Sequence, residues 1–433
     1  MREIGDFGAE RFDPDPVAGR SEVHRVGAGA RSMKKILILD TGREWGGGTN
    51  SLLELLKRID RRRFDITVLF YEDVRMGDGP SIGNVVGSLG FPFLLKGRRP
   101  VPGWAKAAKE AARIVAWWSR PLRSRAVFAV DFRWKIRPDA DAIAKILREG
   151  RFDLLYMNNQ PSTTLEGILA AAACGVPSLQ HARSFGSLTP VEAWIVNRHL
   201  GRMICVSEGL RRAYVAQGVD PARMTVVHNG IDPTARPDRP GREIRAEMGI
   251  PEGAFVVGTV GSLMRRKHVD LLIRALARAA RDVRGGVVGL IVGEGPERAT
   301  LEEEARRLGM RGSCHFTGFR RDSLSCLDAM DVVALASEGE GLPRVLLEAM
   351  LLSKPVVATQ VTGSEDLVVD GETGLLVPFG DEGKFADALG RLAADPGERS
   401  RMGESARTRV VSRYSIGRYV EGVERVLQEA LGG

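Results

Sequence analysis

The 433-residue chain has only four cysteines, Cys174, Cys205, Cys314 and Cys326. None is spaced from another as a C-x-x-C metal pair, and so few in a chain of this length do not make a disulfide framework. A reducing compartment is the expected home. Long apolar runs are also missing. No window of about 18 consecutive apolar residues occurs, which excludes a transmembrane helix, and the N-terminus lacks the apolar segment of a signal peptide. The expected location is therefore the cytoplasm. Repeats of solenoid length and low-complexity tracts are absent too, which leaves ordinary globular domains.

The chain does carry an excess of positive charge, 63 Lys and Arg against 55 Asp and Glu, for a formal net charge of +8. That balance points to an anionic partner, whether nucleotide, nucleic acid or membrane surface, without choosing among them. The length exceeds what one hydrophobic core fills, since cores stop growing at roughly 250–300 residues. Two domains are expected, and the 51 glycines suit many strand-to-helix turns.

Residues 1–32 are polar, aperiodic and rich in Gly and Arg, and Met33-Lys34-Lys35 runs straight into the apolar Ile36–Leu39. The reading is a disordered tail, with Met33 as the true start. From there, short apolar runs alternate with helical patterns, the sequence form of βαβ units and of parallel sheets. One series covers residues 33–235. Pro233, Pro237 and Pro240 then break regular structure and mark a linker, and a second series covers residues 236–410. The fold class is α/β, with two doubly wound parallel-sheet domains in tandem, and ligands are expected in a cleft between their strand-end loops.

The richest stretch is Ser337-Glu338-Gly339-Glu340-Gly341-Leu342-Pro343-Arg344 through Glu348-Ala349-Met350, directly after an apolar run. Gly339 and Gly341 allow close backbone approach, and Pro343 suits the first position of a helix. That helix presents free N–H groups and the positive end of its dipole, a place to stabilise a diphosphate. Glu340 in the loop and Glu348 on the helix are carboxylates able to accept hydrogen bonds from sugar hydroxyls.

These residues resemble the family 4 retaining glycosyltransferases. Their E-x7-E signature matches Glu340 through Glu348, followed by Lys354–Thr359 and by Asp370-Gly371-Glu372-Thr373-Gly374-Leu375-Leu376-Val377. The resemblance runs from Lys34 to about Gln428, and the ordered combination is far more specific than any one piece. It implies a GT-B fold of two Rossmann-like domains facing across a cleft, with residues 411–433 a C-terminal helix crossing back to the first. It also implies roles: Glu340 on donor-sugar hydroxyls, Glu348 on the nucleotide ribose, and the Gly341 and Leu342 amides facing sugar and diphosphate.

Gly261-Ser262-Leu263-Met264-Arg265-Arg266-Lys267 is similar to the family's cationic phosphate loop. Lys267 matches, whereas Ser262 stands where the family commonly has Arg, so Arg265 or Arg266 must supply the second cation. Gly293-Glu294-Gly295-Pro296 resembles the family's G-x-G-P turn; it lacks the third glycine of a dinucleotide fingerprint. Gly318-Phe319-Arg320-Arg321 resembles the loop that lines the nucleobase, and gives Arg321 a donor-binding role. In the first half, Gly46-Gly47-Gly48 resembles the glycine loop that reaches the reaction centre on the acceptor side. His181 stands in the register of a family histidine near donor sugar and acceptor, and Asn229-Gly230-Ile231-Asp232 matches an interdomain motif.

The implied activity is transfer of a sugar from a nucleotide-diphosphate donor to a glycan or lipid-linked acceptor, in bacterial envelope polysaccharide or glycolipid synthesis. Glu340, His181 and Lys267 would be its catalytic residues. No metal and no cofactor are expected, because Lys267, its neighbouring arginines and the helix at Pro343 neutralise the leaving group. Two alternatives stay open, a nucleotide-sugar epimerase on the same architecture and a non-catalytic sugar-nucleotide-binding scaffold. Finally, residues 96–137 hold twelve Lys and Arg against Glu110 and Asp131, with Trp104, Trp117, Trp118 and Trp134. Such a surface suits anionic headgroups, hence an enzyme peripheral on the inner face of the cytoplasmic membrane; tryptophans packed inward are the alternative. Nucleic acid is not an expected partner, since no nucleic-acid module is recognisable.

Overall fold

The structure is a computed structural model. It describes residues 33–432 apart from Glu44, Met76, Asp78, Arg99, Val101, Ala116 and Arg284, and apart from the side chains of Arg120 and Pro121. The expected disordered tail, residues 1–32, lies outside the described residues.

Apolar runs become strands buried on both faces, as parallel sheets covered by helices require. Seven strands build the first sheet: β1 Lys34–Asp40, β2 Phe64–Phe70, β3 Phe93–Leu95, β4 Leu154–Asn158, β5 Ser178–Ala182, β6 Arg202–Cys205 and β7 Met224–Val226, in the order β3-β2-β1-β4-β5-β6-β7. Six build the second: β8 Phe255–Val260, β9 Val287–Val292, β10 Cys314–Gly318, β11 Val332–Leu335, β12 Val356–Thr359 and β13 Gly374–Val377, in the order β10-β9-β8-β11-β12-β13. Every pairing within these sheets is parallel. Strand order therefore reverses between β1 and β4 in one sheet and between β8 and β11 in the other, and at such switch points the loops part to leave a crevice.

The chain passes between the halves twice. Asn229–Asp232 leads out of the first sheet, and Tyr414–Ile416 leads back. The two crossings pair side by side, Ile231 N–H donating to the Tyr414 carbonyl and Ile416 N–H to the Ile231 carbonyl, each at 2.9 Å. A Cβ on Gly230 would come within 2.7 Å of Ile416 Cα, so only glycine lets them lie so close. The final helix, Ile416–Ala430, then buries Tyr419, Val423, Val426 and Leu427 with Ile36, Ile38 and Leu52 of the first half. The preceding helix, Pro396–Arg413, runs without a break past residue 411.

Several local readings need correction. Gly47 and Gly48 belong to the helix Gly47–Leu56, not to a loop; Gly46 is its N-cap, and its carbonyl accepts the first helical bond, from Asn50 N–H at 3.0 Å. Pro343 is likewise the N-cap of helix Arg344–Leu351 rather than its first residue. Two short strands, β3 and β13, were not singled out in the sequence.

Candidate active site

The loops leaving β8 and β11, on either side of the second switch point, meet in one ion pair. Lys267 Nζ donates to Glu340 Oε1 at 2.5 Å, with the two side chains 18% and 10% exposed. Backbone bonds fix both loops: Glu338 N–H donates to the Arg266 carbonyl at 3.1 Å, and Glu340 N–H to the Thr362 carbonyl at 3.1 Å. Around the pair, Arg265 and Arg266 are exposed, and among the described residues their guanidinium groups have no ion-pair partner. Beside Lys267, His268 turns through the left-handed region at φ 46° into helix Val269–Ala279. Ser262, where the family has Arg, is exposed on the same loop.

Glycines let the neighbouring loops pack backbone to backbone. A Cβ on Gly293 would lie 1.8 Å from the Gly261 carbonyl oxygen, and one on Gly295 would lie 2.3 Å from that of Leu263. At the outer edge, Arg321 is exposed, whereas Arg320 is spent on Asp322 and Glu247 and serves structure. Past Glu340, the N–H groups of Gly341 and Leu342 meet no backbone acceptor among the described residues, and they precede the N-terminus of helix Arg344–Leu351. Glu348, one turn into that helix, faces Arg344 at 3.4 Å, and burial raises its carboxyl above the usual carboxylate range against the pull of that arginine.

The first half closes over this surface. A Cβ on Gly341 would fall 2.0 Å from the Arg183 carbonyl oxygen. Gly47 lies against the Arg344 side chain, and Gly48 against that of Arg183. Asn229 Nδ2 donates to the Leu342 carbonyl at 3.1 Å, and Asp366 of the second half accepts from Glu208 N–H, at the start of helix Glu208–Ala216, at 2.8 Å. Gly46–Gly48, Glu340, Gly341 and Leu342 thus share one junction.

His181, on β5, is fully buried there. Its Nδ1 pairs with Tyr156 Oη at 2.6 Å and its Nε2 has no partner. Burial first, and then the charge of Arg183, holds its pKa well below the ordinary histidine value, so the ring is neutral.

Arg183 and Arg344 were not singled out by sequence reasoning. Arg183 is buried and donates to Asn158 Oδ1 at 2.7 Å, Asn229 Oδ1 at 3.0 Å and Tyr419 Oη at 2.8 Å. It ties β4, the outward crossing and the final helix together. Asp40, at the end of β1, accepts from Asn158 Nδ2 at 2.5 Å, and burial raises its pKa. The His181-Ala182-Arg183 order, running off the end of β5, was the one local signal for Arg183.

Residues 96–137 form the helices Gly103–Val115 and Arg120–Asp131, then a π-helical turn Phe132–Ile136. Trp117 and Trp118 are 73% and 65% exposed, with Ile114 and Val115 beside them in sequence equally open. Trp104, also exposed, packs edge-on against the half-buried Trp134 at 4.4 Å between centroids. Arg120, one of the twelve basic residues of this segment, has its side chain outside the described residues. Among the described residues no helix is long and apolar enough to cross a membrane.

Two doubly wound sheets that meet at a cationic, glycine-lined junction make the GT-B architecture. The model of Glycosyl transferases group 1 matches residues 241–409, and that of Glycosyltransferase Family 4 matches residues 45–235. The chain is 32% identical over 309 residues to the alpha-maltose-1-phosphate synthase of Mycolicibacterium smegmatis, covering 61% of this chain and 78% of that one. It is 36% identical over 171 residues to the lipopolysaccharide core biosynthesis glycosyltransferase LpsE of Rhizobium meliloti, 40% of this chain and 49% of that one. The chain spans about half the length of several curated relatives it matches. Its fold is that of Anabaena HepE, solved with UDP and glucose, with a TM-score of 0.73 at 23% identity over 92% of this chain and 100% of that one. The chain belongs to the family 4 glycosyltransferases of GT-B fold.

Proposed function

We propose that the chain is a retaining, metal-independent glycosyltransferase that takes a sugar from a nucleoside-diphosphate donor. The observation that carries this reading is the Lys267–Glu340 pair at the β8/β11 switch point, set between arginines without an ion-pair partner and the Gly341 and Leu342 amides without a backbone acceptor, among the described residues. Donor entry would exchange the pair's two ends. Lys267 turns to the diphosphate with Arg265 or Arg266, and Glu340 accepts hydrogen bonds from the sugar hydroxyls. The acceptor oxygen then bonds to the anomeric carbon on the face from which the phosphate departs. The bond from that carbon to the phosphate oxygen breaks, and the phosphate oxygen takes the acceptor's proton. No protein nucleophile is required. His181 is buried and neutral, which fits a hydrogen-bonding part better than that of a general base.

Fixed cations and a helix N-terminus supply the charge that a metal would otherwise bring. HepE, solved with UDP and glucose, supports UDP as the first nucleotide to try. LpsE by its name acts in lipopolysaccharide core synthesis, which supports an envelope glycan or glycolipid acceptor. The exposed tryptophans and basic residues of the 96–137 segment support work at the inner membrane surface, in the cytoplasm.

The test is incubation with a panel of sugar nucleotides in EDTA, following nucleotide release and the anomeric configuration of the product. Release with retained configuration is expected. Isomerised donor without release would make the protein an epimerase, and binding without release a scaffold. Magnesium-dependent release would refute the metal-independent part alone.

A further inference from the structure

His268, the residue after Lys267, holds a backbone conformation that suits it poorly. Among the described residues three side-chain-bearing residues have positive φ: Arg151 at 51°, His268 at 46° and Ser353 at 56°. Arg151 and Ser353 follow the C-terminal ends of helices Arg137–Gly150 and Arg344–Leu351, where a left-handed residue is a common stop. His268 closes the 3-10 turn Arg265–Lys267 and is at the same time the N-cap of helix Val269–Ala279. An N-cap is ordinarily extended, and a Ser, Thr, Asp or Asn there returns a side-chain oxygen to the helix amides. His268 makes no such bond. Glycine or asparagine would serve the backbone better and a short polar residue the cap, so neither accounts for a histidine.

Its ring crosses between loops. Nε2 donates to Glu338 Oε2 at 3.3 Å, on the loop after β11. The ring also stands edge-on to Phe379, just past β13, with centroids 4.9 Å apart. Asp270, in the first turn of the helix, lies 3.8 Å from Nδ1, and its other oxygen is taken by Arg274 at 3.0 Å. The Lys267–Glu340 pair and the His268–Glu338 bond are therefore two rungs between the same two loops, with the backbone bond from Glu338 N–H to the Arg266 carbonyl beside them. Donor entry, as proposed above, breaks the first rung, because Lys267 turns to the diphosphate and Glu340 to the sugar. The second rung uses neither of those groups and persists. With side chains 26% and 55% exposed, it adds little to the stability of the fold, so its effect lies in where it holds the loops.

We infer that His268 is a positioning residue: through Glu338 it keeps the loops after β8 and β11 at one spacing while Lys267 is turned to the donor, so that Glu340 is held where it meets the sugar. The inference rests on the donor reading for its place in the reaction, but the rung itself does not.

The first arm of the test needs no donor. Lys267→Ala removes the first rung, and amide hydrogen exchange then reads Glu338 N–H, which bonds across the loops. Its protection should survive in Lys267→Ala and fall at least about fivefold when His268→Gly is added; His268→Gln in place of glycine should keep it, since the amide nitrogen takes the position of Nε2. Glu340 N–H, bonded to the Thr362 carbonyl outside the rungs, is the control and should not change. The second arm is calorimetry on the full chain with UDP and with UDP-glucose as probes. His268→Gly alone should weaken UDP-glucose at least about fivefold and UDP less than about twofold, Glu338→Ala should do the same, and the double variant should be no worse than either. Glycine relieves the left-handed conformation, so Tm should hold or rise, which a variant that merely folds badly would not show. Equal protection of Glu338 N–H with and without His268 in the Lys267→Ala chain, a loss shared by Glu340 N–H, or UDP weakened as much as UDP-glucose overturns the positioning role. A wild type that binds neither probe would overturn the UDP donor reading, and the exchange arm would still decide the rung.

Discussion

At the residue scale, the Lys267–Glu340 pair makes the donor site a competition. With no donor, each charge satisfies the other at 2.5 Å in a largely buried position. Lys267→Ala and Glu340→Gln should each reduce kcat/KM at least about tenfold, because one charge-assisted hydrogen bond is worth roughly 1.5–3 kcal/mol. Combined, the two changes should cost much less than the sum of the singles, since each alone strands the other partner. Steady-state nucleotide release in all three variants checks this. Near-normal turnover in both singles would remove the site.

Both residues were legible in the sequence because loop chemistry and a specific motif coincide there. Arg183 was not. Its partners Asn158, Asn229 and Tyr419 lie 25, 46 and 236 residues away, and only the folded chain brings them together. Arg344 fell inside the recognised stretch, but its contact with Gly47 depends on how the halves meet.

At the scale of elements, the long strands were readable because burial on both faces demands continuous apolar runs, as in Val287–Val292. The edge strand β3, with Leu94 and Leu95 exposed, bears no such pattern. The glycines were read as loop residues, yet Gly47 and Gly48 start a helix, since glycine alone does not distinguish a turn from a helix end approached by another chain segment. Gly341 shows what such approach demands. Gly341→Ala would set a methyl group 2.0 Å from the Arg183 carbonyl, so the halves must separate. The second half keeps its donor contacts. We expect kcat to fall at least about tenfold while the UDP dissociation constant changes less than about threefold. Single-turnover kinetics beside calorimetry separates the two, and equal losses in both would mean that the loop itself is damaged.

At the scale of the whole molecule, basic charge and exposed tryptophan coincide on the helices around residues 103–131, in the first half and away from the donor loops. Trp117 and Trp118 are too exposed to serve a core, which answers against tryptophans packed inward at those two positions. Cosedimentation with anionic vesicles should be strong at low salt and lost at high salt, and Trp117→Ala with Trp118→Ala should weaken it several-fold. Equal pelleting with neutral and anionic vesicles would sink the membrane reading and leave the transferase assignment standing.

The paired crossings at Ile231 and Ser415 carry a mechanical consequence. One flexible tether would let the halves swivel and slide in every direction. Two hydrogen-bonded segments lying edge to edge, with Asp232 held by Arg58 at 2.8 Å, resist twist and shear and leave bending about the line through them. Any opening and shutting of the cleft is therefore expected to follow close to one degree of freedom. Such a hinge would return the Arg183 carbonyl to the same place over Gly341 at each closure, with no need to search among orientations.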